Sequence, residues 1–191
     1  MTNLATVFDR VPKLVLFGAA GLIQIALIGL MVADRVMILR TGVDVTLQTR
    51  PLDPRDFLRG DYVVLGYDIS SVPAGDMASE RLTGRDKLVF VKLAPNRDGF
   101  YEAISVHAAP VDVASPEVLI RGHVVRGSFA GRLQVRYGIE SYFVPEGEGR
   151  KLESARNQRK LTIVAAVAPT GRAAIKRLLI DGEPVYDEPW F

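Results

Sequence analysis

The sequence predicts a single N-terminal transmembrane helix followed by a mainly-β domain of many short antiparallel strands with one short helix. Three observations carry that reading. Residues Leu14 to Ala33 form an apolar run without a charge. After it the periodicity changes from helical to alternating, as half-buried strands require. The 17 glycines and 11 prolines fall mostly between the alternating runs, as in a domain of many short strands. The chain of 191 residues divides accordingly into a tail and anchor helix over 1–40 and one β-rich domain over 41–191.

The anchor comes first. Leu14–Ala33 contains one strongly polar side chain, Gln24. At 1.5 Å per residue it spans about 30 Å, the hydrocarbon thickness of a bilayer. Arg10 and Lys13 before it, with Asp34, Arg35 and Arg40 after it, mark where the chain leaves the apolar layer. A cleaved signal peptide has an apolar core of only ~7–15 residues and small residues at its cleavage site. Leu30-Met31-Val32-Ala33 is bulky where small residues are needed, so the expectation is a retained signal-anchor. The basic residues flanking the span nearly balance. A short tail bearing Arg10, Lys13 and the α-amino group is awkward to translocate, which favours tail inside and domain outside the cytoplasm.

Within the domain, Val43, Val45 and Leu47 alternate with Asp44, Thr46 and Gln48. Further strand-like runs are expected at 62–69, 87–93, 100–106, 118–125, 133–139, 161–167 and 173–180. Pro95-Asn96-Arg97-Asp98-Gly99, Pro169-Thr170-Gly171 and Asp181-Gly182 supply the turns. The one helical stretch, 149–158, carries Glu153 and Arg156, with Arg159 just beyond, and reads as a short exposed helix. There is also an internal echo. Lys87–Val106 and Lys160–Gly182 each run Lys-Leu, a β-rich segment, Ala-Pro, a glycine turn and Ala-Ile, which is the punctuation of two similar hairpins.

Composition excludes several functions. The absence of cysteine removes disulfides, thiolate metal sites, iron–sulfur clusters and cysteine nucleophiles. The net charge of +2 arises entirely within residues 1–40, so the domain is neutral overall. Its basic cluster, Arg150, Lys151, Arg156, Arg159 and Lys160, follows Glu140, Glu146 and Glu148. It reads as a solvated face, and no nucleic acid is expected as a partner.

Residues 60–67 read GDYVVLGY. Gly60 suits a turn with positive φ, and the Asp61 carboxylate suits capping of turn backbone. Tyr62, Val64 and Gly66 alternate with Val63, Leu65 and Tyr67 across a strand. The structural reading, a strand entry with packed tyrosines, is the stronger one beside a ligand-binding role for Asp61 and the tyrosines. The spelling Gly60, Asp61, Tyr62, Leu65 and Tyr67 resembles the signature of the bacterial GDYXXLXY proteins. PLDPRDFLR at 51–59, YGIESYFVPEGEGRKLE at 137–153 and the single anchor resemble that family too. The resemblance implies a membrane-anchored domain of no assigned activity, working beside multi-span membrane proteins, and it brings no catalytic residues.

A fainter likeness links Asp53–Val63 to type I signal peptidases, with Lys92 on a later strand and Pro145 before a glycine turn. The nucleophile position falls near Pro51 or Leu52, where there is no serine, and Ser70 and Ser71 lie beyond the motif strand. A lysine base needs a hydroxyl to deprotonate. Lys92 is therefore expected to be exposed or salt-bridged, with Asp53 or Asp56 as the candidate carboxylates. His107 and His123 are the only neutral-pH bases, sixteen residues apart and without metal-ligand spacing. Glu146-Gly147-Glu148-Gly149 reads as a solvated loop. No catalytic, metal or cofactor residues are assigned. Trp190-Phe191 reads as an aromatic tail that docks back or meets a partner.

The functional expectation is a non-catalytic accessory or interaction protein of the bacterial inner membrane. It is held in the bilayer through residues 14–33, with its domain on the periplasmic or external side, and acts with an integral-membrane partner. The alternative is an envelope hydrolase or a degenerate signal-peptidase-like protein.

Overall fold

In the computed structural model a long N-terminal helix, α1 (Lys13–Thr41), precedes a domain built from antiparallel strands. The structure describes residues 12–51, 62–74, 86–129, 131–144 and 148–189, with backbone alone for Tyr62 and 126–129. Helix α1 contains the whole uncharged run, exposes Phe17 and Met31 among its apolar side chains, and is long and apolar enough to cross a membrane. The chain divides into two compact units, one ending at Met37 and one beginning at Ile38. The last turn of α1 thus belongs to the domain, where Ile38 and Leu39 are buried against Ala166 and Ala174.

Twelve strands follow among the described residues. They are β1 (Val43–Arg50), β2 (Tyr62–Val64), β3 (Gly66–Tyr67), β4 (Ser71–Pro73), β5 (Leu88–Pro95), β6 (Tyr101–His107), β7 (Val118–Phe129), β8 (Arg132–Arg136), β9 (Ser141–Phe143), β10 (Leu161–Val167), β11 (Ala173–Ile180) and β12 (Glu183–Asp187). One five-stranded sheet has the order β12-β11-β10-β1-β3, the other β4-β8-β7-β5-β6, and β2 pairs with β9 as a ribbon. The edge strands β4 and β6 of the second sheet come within 8 Å of each other at Cα, so that sheet curls on itself. In the first sheet β12 meets the ribbon through Tyr186 and Tyr142, whose ring centroids lie 6.3 Å apart.

Alternation fills the core. Val45 and Leu47 of β1, Val89, Val91 and Leu93 of β5, and Ile163 and Ala165 of β10 are fully buried in one contiguous cluster. The strand expectations at 161–167 and 173–180 match β10 and β11 to the residue. The run expected at 62–69 is instead broken. β2 and β3 are separated at Leu65, and residues 68–70 turn into a short 3-10 segment. The break lets β2 pair with β9 while β3 pairs with β1. Strands β4, β9 and β12 were not expected, being three to five residues long with little alternation.

Helix α2 (Gly149–Asn157) also departs from expectation. It is not an exposed helix: Leu152, Ala155 and Arg156 are buried, and it packs beside β10, β2 and β1. Glu153 and Arg150 disguise a short buried face of small and long side chains, because Leu152, Ala155 and the Arg156 stem supply the apolar surface.

The echo in the sequence is an echo in the structure. Hairpins β5–β6 and β10–β11 share one register. From the turn each makes three pairs, Pro95–Tyr101, Ala94–Glu102 and Leu93–Ala103 in one, Val167–Ala173, Ala166–Ala174 and Ala165–Ile175 in the other. Each then skips one residue of its second strand, Ile104 or Lys176, before pairing resumes. The five-residue loops match as well. Asn96 N–H donates to Phe100 O and Gly99 N–H to Asn96 O, as Ala168 N–H does to Arg172 O and Gly171 N–H to Ala168 O.

Candidate functional site: the motif strand and the titratable side chains

The second half of the motif is spent on the core. Val63, Leu65 and Tyr67 are 0–1% exposed, while Val64 faces outward. Gly60 and Asp61, with the whole of Pro51's successor segment 52–61, lie outside the described residues, and of Tyr62 the backbone alone is described. What the motif strand holds is the segment 137–143. Leu65 N–H donates to Glu140 O at 2.8 Å, β2 pairs residue by residue with β9, and the Tyr67 hydroxyl donates to Ile139 O. Tyr137 reciprocates by donating to Ile69 O at 2.6 Å. The Glu140 carboxylate accepts from Tyr137 N–H at 2.5 Å and Gly138 N–H at 2.9 Å, fixing the turn that presents Ile139. Residues 62–67 and 137–143, parts of two of the stretches that carry the family resemblance, are therefore two sides of one seam.

Burial raises the pKa of both Tyr67 and Tyr137 well above the usual phenol value, and the Glu140 carboxylate adds to the rise. Both hydroxyls are neutral donors to carbonyls and are unsuited to proton transfer near neutrality. Arg156 closes the seam from α2. Its Nη1 donates to Val64 O at 2.5 Å, and Nε and Nη2 donate to Asn157 Oδ1 at 3.2 and 3.0 Å. Only 2% of this residue is exposed, so burial lowers its pKa, with nearby Glu153 acting in the opposite direction. Sequence placed Arg156 in a solvated basic face. Its burial was signalled only by its place one helical turn after Leu152.

The candidate catalytic side chains lie apart from the seam. Lys92 forms a two-point ion pair with Glu117, Nζ to the carboxylate oxygens at 3.0 and 3.1 Å. Glu117 thus takes the role expected of Asp53 or Asp56, both of which lie outside the described residues. Ser105, unremarked in the sequence, is the Cα partner of Lys92 across β5–β6, and its Oγ lies 2.8 Å from His107 Nε2. Ser71 Oγ accepts from Arg132 Nε at 2.9 Å, and Ser70 is buried. His123 is exposed on β7 beside an open cavity lined by Asp86, Arg136 and Gly138. Among the described residues no group of three or more His, Asp or Glu side chains is placed to hold a metal ion. Glu148 is exposed, while Glu146 and Trp190-Phe191 fall outside the described residues.

A long apolar helix leading into a curled, antiparallel β domain, sealed at one seam by a tyrosine-bearing strand, defines the class of protein. The family model described as GDYXXLXY protein matches residues 24–178, which is most of the chain, and the chain belongs to that family. No curated protein and no solved structure matches it.

Proposed function

We propose that the protein is a non-catalytic accessory protein, anchored in the bacterial inner membrane by residues 14–33 and acting with an integral-membrane partner. On this reading it is a single-pass protein with its domain on the periplasmic side. The observation that carries the proposal is where the second half of the family signature goes: Leu65 and Tyr67 are buried and hydrogen-bonded into the fold, so these two letters serve the scaffold. The ion pair of Lys92 with Glu117 supports the same reading, because both carboxylate oxygens engage the ammonium and turn it to a structural contact. Anchoring confines the domain to two dimensions and raises its effective concentration beside a membrane partner.

The test is purification of the full chain from its native membrane in mild detergent after alkaline carbonate washing. The proposal expects the chain to stay in the membrane with its N-terminal segment retained, to be cleaved by protease added to spheroplasts, and to co-purify with a multi-span protein. A mature chain beginning after Ala33, or a domain protected in spheroplasts, would remove the anchor or the orientation.

One observation favours the hydrolase alternative: the Ser105–His107 hydrogen bond beside Lys92 has the atoms of a nucleophile and a base. His107→Gln and Lys92→Met decide between the readings in a deletion strain. Accessory function expects folded variants to complement, and hydrolysis expects a folded variant that does not.

A further inference from the structure

His123 and Arg136 are direct Cα partners across β7 and β8, about 5 Å apart by the geometry of antiparallel pairing. Both side chains face outward, since the neighbouring Val124 and Val135 are buried in the core. Asp86 joins them because its backbone N–H donates to Val124 O at 2.7 Å, which lays it alongside β7 next to His123. Asp86 adopts φ 58°, a left-handed conformation uncommon outside glycine, at the rim of the same cavity of about 400 Å³. Gly138 forms the remaining wall, with its N–H already taken by the Glu140 carboxylate.

Among the described residues the side chains of Asp86, His123 and Arg136 make no hydrogen bond or ion pair with one another or with neighbours. A carboxylate and a guanidinium share one rim without closing onto each other, and the imidazole offers a further N–H in either tautomer. We propose that this cavity binds a small zwitterion bearing an oxyanion and a primary ammonium. Arg136 and His123 hold the oxyanion and Asp86 holds the ammonium. A guanidinium suits the planar fork of a carboxylate or phosphate. The carboxylate opposite excludes simple dianions by repulsion and selects a ligand of both signs. An ethanolamine phospholipid headgroup and a free α-amino acid share that chemistry.

The chain has two histidines, so ring-labelled full-length protein in phosphatidylcholine nanodiscs gives one reporter, His123, and one internal control, His107. O-phosphoethanolamine or alanine is titrated to about 20 mM, a range that reads millimolar Kd values. The expected result is a saturable shift of His123 with His107 unmoved, and at least tenfold weaker response to inorganic phosphate or to ethanolamine alone. Arg136→Gln abolishes the shift, and Asp86→Asn removes the preference for zwitterion over phosphate. Response to phosphoethanolamine alone, reproduced by replacing phosphatidylcholine with phosphatidylethanolamine in the nanodisc, assigns the headgroup. A response to alanine assigns the amino acid. No shift of His123 with either zwitterion, or equal shifts for zwitterion and phosphate in the parent and in Asp86→Asn, overturns the proposal.

Discussion

The hairpins β5–β6 and β10–β11 have the same register, the same skipped residue and the same loop hydrogen bonds, yet they live in opposite surroundings. The tip of β10–β11 is docked. Gly171 O accepts from Arg121 N–H at 2.7 Å, where β7 extends beyond the reach of β8. The outer face behind that tip is covered too, because Ala166 and Ala174 receive Ile38 and Leu39. At the matching positions β5–β6 carries Ala94 and Glu102, and its Gly99 has open space around it. The open loop satisfies itself: Asn96 Oδ1 accepts from Asp98 N–H and Phe100 N–H, both at 3.0 Å, and its Nδ2 donates to Glu102. The docked loop has Ala168 in that place. One backbone shape is thus stabilised either by a side chain that replaces water or by a neighbouring strand, and the sequence at the first loop position tells which.

That contrast is most easily broken at the two glycines. Both need positive φ, +80° at Gly171 and +83° at Gly99, so alanine costs each about 1–2 kcal/mol in backbone strain. At Gly171 a Cβ would also lie 3.1 Å from Arg121 N and 3.3 Å from Leu119 O, backbone atoms that cannot swing aside. Gly171→Ala should therefore cost about 1–3 kcal/mol more than Gly99→Ala, read as the difference in urea midpoints at constant m-value. Equal costs would mean that the tip does not dock.

A second effect tests the seam that ties the hairpin sheets together. The folded-state pKa of Tyr67 and Tyr137 is raised, so stability is unaffected while both states are protonated. It falls once pH passes the unfolded phenol value near 10, where only the unfolded chain ionises. Each tyrosine should remove about 1.4 kcal/mol per pH unit above that point. Phenylalanine at either position should shallow the decline by one such contribution, in thermal melts between pH 9 and 11.

The covered face gives a smaller difference. Ala174→Leu should cost about 1–3 kcal/mol by displacing the end of α1, whereas Glu102→Leu at the equivalent position should stay within about 0.5 kcal/mol. Asn96→Ala removes the side chain that completes the open loop and should cost about 1 kcal/mol. Hydrogen exchange at the amides of Asp98 and Phe100 would rise with it.

Much of this arrangement is legible in the letters. The long apolar helix, the alternating strands and the repeated hairpin punctuation all follow from periodicity and turn chemistry, which act locally. The seam was not legible, because Tyr67 and Ile139 are 72 residues apart and no local pattern announces that a hydroxyl meets a distant carbonyl. The burial of Arg156 was hidden for the same reason: its partner, Val64 O, is supplied by a strand 92 residues away. Ser105 has no signal in the sequence, because a serine gains meaning only from His107 and Lys92 beside it. Proximity in sequence points to Asp53 or Asp56 as the carboxylate for Lys92, whereas the β5–β7 pairing brings Glu117 to it.

The central claim is that Leu65 and Tyr67 of the family motif build the scaffold. The most direct measurement is the melting temperature of full-length Tyr67→Phe, taken beside its complementation of a deletion strain. Loss of the hydroxyl leaves the buried Ile139 carbonyl without its donor, at a cost of about 1–3 kcal/mol. The account predicts a melting temperature lower by roughly 2–10 °C, with activity restored on lowering the growth temperature. A Tyr67→Phe protein that melts like the parent yet fails to complement at any temperature would contradict it.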